Sequence, residues 1–166
     1  MSYDIYIGEA VVDVPSADTL RDGYNELSVC VDEFKLDDAP HFPHDEMTSN
    51  GNSRHPGYSQ WSNFARQAGL HAFFFDKENG LMREHPGAFM LTQDHSEVVS
   101  NALSKWRREH QAIEPGWCGC VQCCGRMGDK AAKHVDRDGV LARLIWLDFW
   151  IRWAIGSCKV PAIYNG

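Results

Sequence analysis

Apolar and polar residues alternate from Tyr3 to Val14, with Tyr3, Ile5 and Ile7 on one side and Asp4 and Tyr6 on the other. A period of two predicts a strand with one half-wet face, broken at Pro15. A second run, Leu27 to Leu36, follows the turn formers Arg21-Asp22-Gly23-Tyr24-Asn25, and an antiparallel pair results; a short helix over Ser16 to Gly23 is the alternative for the connection. From Ser59 the period changes. Trp61, Phe64, Ala65 and Ala68 share one helical face, and Gly69 supplies the stop. Leu70 to Phe75 is a short apolar run ending at the turn signal Asp76 to Gly80. After Ala88-Phe89-Met90-Leu91, with Thr92 or Asp94 as cap, a helix from Gln93 to His110 carries its apolar stripe on Val98, Val99, Ala102, Leu103 and Trp106. Its basic end, Lys105 to His110, opposes the negative pole of the helix dipole.

The segment Asp138 to Cys158 is apolar in nearly every direction, from Val140 and Leu141 to Trp153, Ala154 and Ile155. A helix of that kind is expected inside the core rather than at its surface. Its charges Arg143, Asp148 and Arg152 must then pair with one another or face a cavity, because an isolated buried charge is costly. Beyond Pro161, residues 162–166 are expected as a docked tail or a short edge strand. The fold class is therefore α+β, a small antiparallel N-terminal sheet packed with three main helices, the C-terminal helix central and largely buried. One domain is expected over 1–166, with a long polar loop at about 37–57 and a Cys-rich loop at about 115–137. Connections of such length are enriched in functional segments.

Charge is unevenly spread. The 166 residues hold 16 basic and 23 acidic side chains, for a formal charge of -7. Residues 1–50 contain twelve acidic side chains against only Arg21 and Lys35, about -10, which leaves about +3 for the remainder. An acidic face of this kind makes non-specific nucleic-acid binding unlikely. No signal peptide or membrane span is legible, since the most apolar stretch is short and interrupted by Arg143, Asp148 and Arg152. A cytoplasmic location and no membrane partner are the expectation.

Three places can carry chemistry. Cys118, Cys120, Cys123 and Cys124 crowd together, and Cys120-x2-Cys123, completed by the others or by His134, has the ligand types of a structural zinc site. The same cysteines also fit a redox pair or unligated thiols. In the polar loop, His41, His44, Asp45 and Glu46 can ligate a metal or transfer protons. A distributed set, Arg54, His55, Tyr58, Trp61, Arg66, Arg83 and His85, combines cations for anion binding, rings for stacking and imidazoles for acid-base work. Taken singly, each of these residues reads as core, turn or solvated surface.

The set Tyr58-Ser59-x-Trp61-Ser62-x-Phe64-x3-Ala68-Gly69-Leu70, His85-Pro86-Gly87 and Leu141-Ala142-Arg143-Leu144-Ile145-Trp146-Leu147-x-Phe149-Trp150-x-Arg152-Trp153-Ala154 resembles small uncharacterised proteins encoded by tailed phages and prophages, over most of residues 50–165. The resemblance implies a phage-encoded protein acting in a host cytoplasm. It brings no activity or catalytic residue with it. The leading expectation is a non-enzymatic accessory protein that binds a host macromolecule, such as a protein, or a polar small molecule. Arg54, Tyr58, Trp61, Arg66 and Arg83 are its candidate binding residues. One alternative is a small hydrolase or nucleotide-modifying enzyme using His55, His85 or Asp45, and another is a zinc-stabilised scaffold.

Overall fold

Strand β1 (Ile5–Asp13) organises the sheet. The structure, a computed structural model, describes residues 3–13, 28–40, 50–76, 78, 80–81, 87–110 and 139–166. Along one edge, the C-terminal half of β1 pairs antiparallel with β2 (Ser28–Val31), from Ala10 opposite Val31 to Asp13 opposite Ser28. On the same side, Ile5 and Tyr6 pair with Arg54 and Ser53 of the two-residue strand β3 (Ser53–Arg54). The other edge of β1 takes β5 (Pro161–Asn165), and β5 in turn carries β4 (Gly87–Met90). The order is β2-β1-β5-β4 with β3 beside β1, all antiparallel. The sheet curls, bringing β2 within reach of β4 and β5. The C-terminal residues thus form an interior strand, not an edge: their backbone is paired on both sides, and Ala162 and Ile163 are buried.

Four described helices accompany the sheet: α1 (Tyr58–Gln67), the short α2 (His71–Phe75), α3 (Gln93–His110) and α4 (Gly139–Ser157). The ends follow the local chemistry. Gln60 accepts the Gly57 N–H at 3.2 Å at the start of α1, and Gly69 takes the left-handed conformation, φ 72°, at its end. At the start of α3, His95 at the third helical position plays the part that Glu or Gln has in a capping box: its Nδ1 accepts the Thr92 N–H at 2.9 Å.

Helix α4 packs against α3 and lies across β1 and β5. Leu141, Leu144, Trp146, Leu147, Trp150, Ile151 and Ala154 are all fully buried, as the all-round apolar pattern requires. In the same core, the Trp61 ring stacks on Tyr3 at 6.1 Å and meets Phe64 and Phe74 at 4.6 and 5.2 Å.

The expected polar loop is only partly a loop. Asn52, Ser53 and Arg54 are fully buried, and Gly51 forms a bridge with Lys35. Polar residues enter the interior here because each is given partners. The Asn52 carboxamide accepts the Phe34 N–H at 2.8 Å and donates to the carbonyls of Ile7 and Asp32 at 3.0 and 2.8 Å. It thereby plugs the gap between β2 and β3, where ladder bonds would otherwise be missing. The indole N–H of Trp146 donates to the Gly51 carbonyl at 3.0 Å, tying this segment to α4.

Candidate functional site

Helices α3 and α4 leave a groove between them, and its side chains come from residues at helical spacing. On α3, Ser96, Ser100, Leu103 and Arg107 follow one another at intervals of four, three and four, so they lie along one face. On α4, Asp148 and Arg152 are four apart, and Phe149 and Trp153 stand beside them. Two open hollows result. One, of about 490 Å³, has a hydroxyl and amide lining from Ser96, Ser100, Asn101 and Gln93, with Glu97 at its side. The other, of about 470 Å³, has Leu103, Ile145, Phe149 and Trp153 as its apolar lining, with Pro40, Arg107 and Asp148 around it. Arg152 lines both.

The three charges of α4 do different work. The Asp148 carboxylate, mostly shielded, accepts a hydrogen bond from the Ser100 hydroxyl and stands 3.3 Å from Arg152 Nε. Arg152 keeps 63% of its side-chain surface exposed, so the ion pair adds only about 0.3–0.5 kcal/mol. Its consequence is orientation. With Nε engaged, the two terminal nitrogens remain to grip a carboxylate or phosphate in a fork. Arg143 belongs elsewhere: its Nη1 donates to the Gly139 carbonyl at 3.3 Å, and its guanidinium lies 5.7 Å from the Phe64 ring centre.

The described members of the distributed set do not converge on one pocket, although Tyr58 and Trp61 both meet Tyr3. Arg54 is fully buried, its guanidinium 4.9 Å from the Trp146 ring centre. Trp61 is core. Tyr58 sits edge-on to Tyr3 and Phe75 at 6.0 and 5.6 Å. Arg66 lines a smaller hollow of about 180 Å³ with Lys105, Trp106 and His110, apart from Arg54 and His55. His55 is exposed, and its Nδ1 lies 3.1 Å from Asp4 Oδ1, a contact that fixes the ring with Nε2 as the remaining nitrogen. Asp45, Arg83, His85, Cys118, Cys120, Cys123, Cys124 and His134 lie outside the described residues. Among the described residues, no group of three or more His, Cys, Asp or Glu is placed to hold a metal ion.

Sequence reasoning singled out Asp148 and Arg152 but missed their partners across the groove. Ser96, Ser100 and Asn101 carry no motif. Their signal is a stripe of small polar residues running beside the apolar stripe of α3, which marks a helix face that is neither packed core nor charged surface. Phe149 and Trp153 read as packing because their neighbours do. No family model, curated protein or solved structure matches the chain.

Proposed function

We propose that this protein is an accessory binding protein, without catalysis of its own, whose α3–α4 groove takes a polar ligand carrying both a ring and an anionic group. The phage-encoded setting that its sequence resemblance implies makes a host molecule the natural ligand. The observation that carries the reading is the position of Arg152, which borders both hollows and is oriented through Asp148 by Ser100. An anionic group on the ligand meets the free face of this guanidinium, with Arg107 at the far end of the apolar hollow. The ring meets Phe149 and Trp153, and the remaining polar atoms meet the hydroxyls and amides of α3. A hollow of a few hundred cubic ångströms with an apolar lining and a few converging polar groups is the usual form of a small-molecule site.

The test is a thermal-shift screen of aromatic carboxylates and nucleoside phosphates, followed by calorimetry on each hit. Arg152→Ala is expected to weaken a genuine ligand about tenfold or more, the scale of a lost charge-assisted bond. Hits that bind Arg152→Ala as tightly as the parent protein would remove the groove from consideration.

A further inference from the structure

We propose that the outer face of the sheet, around Tyr6, is a docking surface for a basic segment of a partner protein, recognised through its arginine or lysine side chains. The face is assembled by register. Tyr6 on β1 is paired with Ser53 on β3 and with Tyr164 on β5, a row across three strands in which the two tyrosines are half-buried and Ser53 is fully covered. Two residues along, Asp4 and His55 lie on the same side by strand alternation and meet at 3.1 Å. The Tyr6 ring lies 5.9 Å from Tyr164 and 5.6 Å from His55, making a continuous aromatic strip. Ser53 donates its hydroxyl to Glu33 at 2.6 Å, which brings a second carboxylate to the row.

Carboxylates outnumber the fixed cations described on this face: Asp4 and Glu33 stand against Lys35, which is exposed two residues beyond Glu33 and bridged to Gly51. Strands β1 and β5 contain no lysine or arginine, and the one arginine of β3, Arg54, is buried in the core with its guanidinium over Trp146. Asp4 and Glu33 each have one side-chain donor described, His55 and Ser53 respectively, and a carboxylate has room for about four. The Tyr6 hydroxyl senses both: its pKa is raised by burial first, then by Asp4, Glu33 and Tyr164. Rings flanked by carboxylates complement ammonium and guanidinium groups, through ring faces and charged hydrogen bonds together. A phosphate backbone would meet the same carboxylates as repulsion. This face is separate from the groove, and neither reading depends on the other.

The probe is an acetylated, amidated tetra-arginine peptide titrated at low salt, with the tetra-glutamate peptide as control. Binding of the arginine peptide alone is expected. Asp4→Asn with Glu33→Gln should weaken it about tenfold, and Tyr6→Ala or Tyr164→Ala about threefold. Asp37→Asn with Asp38→Asn removes two exposed carboxylates outside the row and should leave binding unchanged, as should Arg152→Ala. Thermal unfolding of each variant confirms that it is folded, and conservative Tyr6→Phe keeps the ring if Tyr6→Ala does not fold. No binding, or equal losses from both carboxylate pairs, would overturn the proposal.

Discussion

Asn52 joins three segments of chain that are far apart in sequence. Besides its three side-chain bonds, its backbone N–H donates to Phe34 and its carbonyl accepts from Ile7, at 3.0 and 3.1 Å. Removing the carboxamide strands the buried Ile7 carbonyl, at about 1–3 kcal/mol, whereas the part-buried Phe34 N–H and Asp32 carbonyl cost less because water reaches them. Asn52→Ala should therefore lower stability by about 2–4 kcal/mol, measured by urea unfolding; a loss below about 0.5 kcal/mol would mean that water replaces the amide without penalty. His95 makes a second prediction, in pH. It is half-buried between Phe73 and Phe89, and its Nδ1 must stay unprotonated to accept the Thr92 N–H. Desolvation lowers its pKa from the ordinary 6.5, outweighing the opposite pull of Asp94. The unfolded chain then binds the proton more readily, so stability is fully present above about pH 6.5 and falls as the pH drops toward the folded-state value. His95→Gln keeps an acceptor at the cap and should flatten that part of the stability profile; an unchanged slope would place the titration elsewhere. Cys158 offers a third. Burial first, then the neighbouring Glu9, push its thiol up to about 11, so alkylation near neutral pH should be slow compared with an ordinary exposed cysteine.

At the scale of elements, the strand β5 holds more of the fold than its position in the chain suggests. It pairs with β1 and β4 at once, and its Asn165 carboxamide donates to the Leu81 carbonyl at 3.0 Å. Glu9 anchors its entry by accepting the N–H groups of Lys159 and Val160 at 2.6 and 3.0 Å. Deleting residues 161–166 should abolish the cooperative unfolding transition; a truncated chain that still melts cooperatively would show that β1 and β4 close without it. The elements themselves were largely legible. Helix α3 spans the range its apolar stripe marks, and α4 comes within a residue of its expected limits at each end. The β1–β2 pair was legible because alternation and turn residues coincide. What escaped was long-range. A run such as Ala162-Ile163-Tyr164 looks the same in an edge or an interior strand, and only the neighbours it finds decide. Gly51-Asn52-Ser53-Arg54 looks like loop because burial of polar residues depends on partners supplied from Phe34, Ile7 and Trp146. The same reasoning covers the groove: Asp148 and Arg152 announce themselves as charges on an apolar helix, whereas Ser100 matters only because α3 brings it to Asp148.

The whole molecule separates its two kinds of surface. No described helix is long and apolar enough to cross a membrane, and the helical layer covers one side of the curled sheet. The groove between α3 and α4 offers guanidinium groups and rings, whereas the outer sheet face offers carboxylates and rings. Salt should affect the two differently: contacts on the exposed sheet face weaken as ionic strength rises, whereas a ligand seated in the groove keeps its ring contacts. The most direct test of the groove is a nuclear magnetic resonance titration of labelled protein with phenyl phosphate, indole acetate and adenosine monophosphate. At least one of these aromatic anions should shift the signals of Ser100, Asn101, Arg152 and Trp153 while leaving Tyr6 and His55 in place, and Arg152→Ala should remove the effect. Shifts confined to other surfaces, or none from any of the three, would contradict the account.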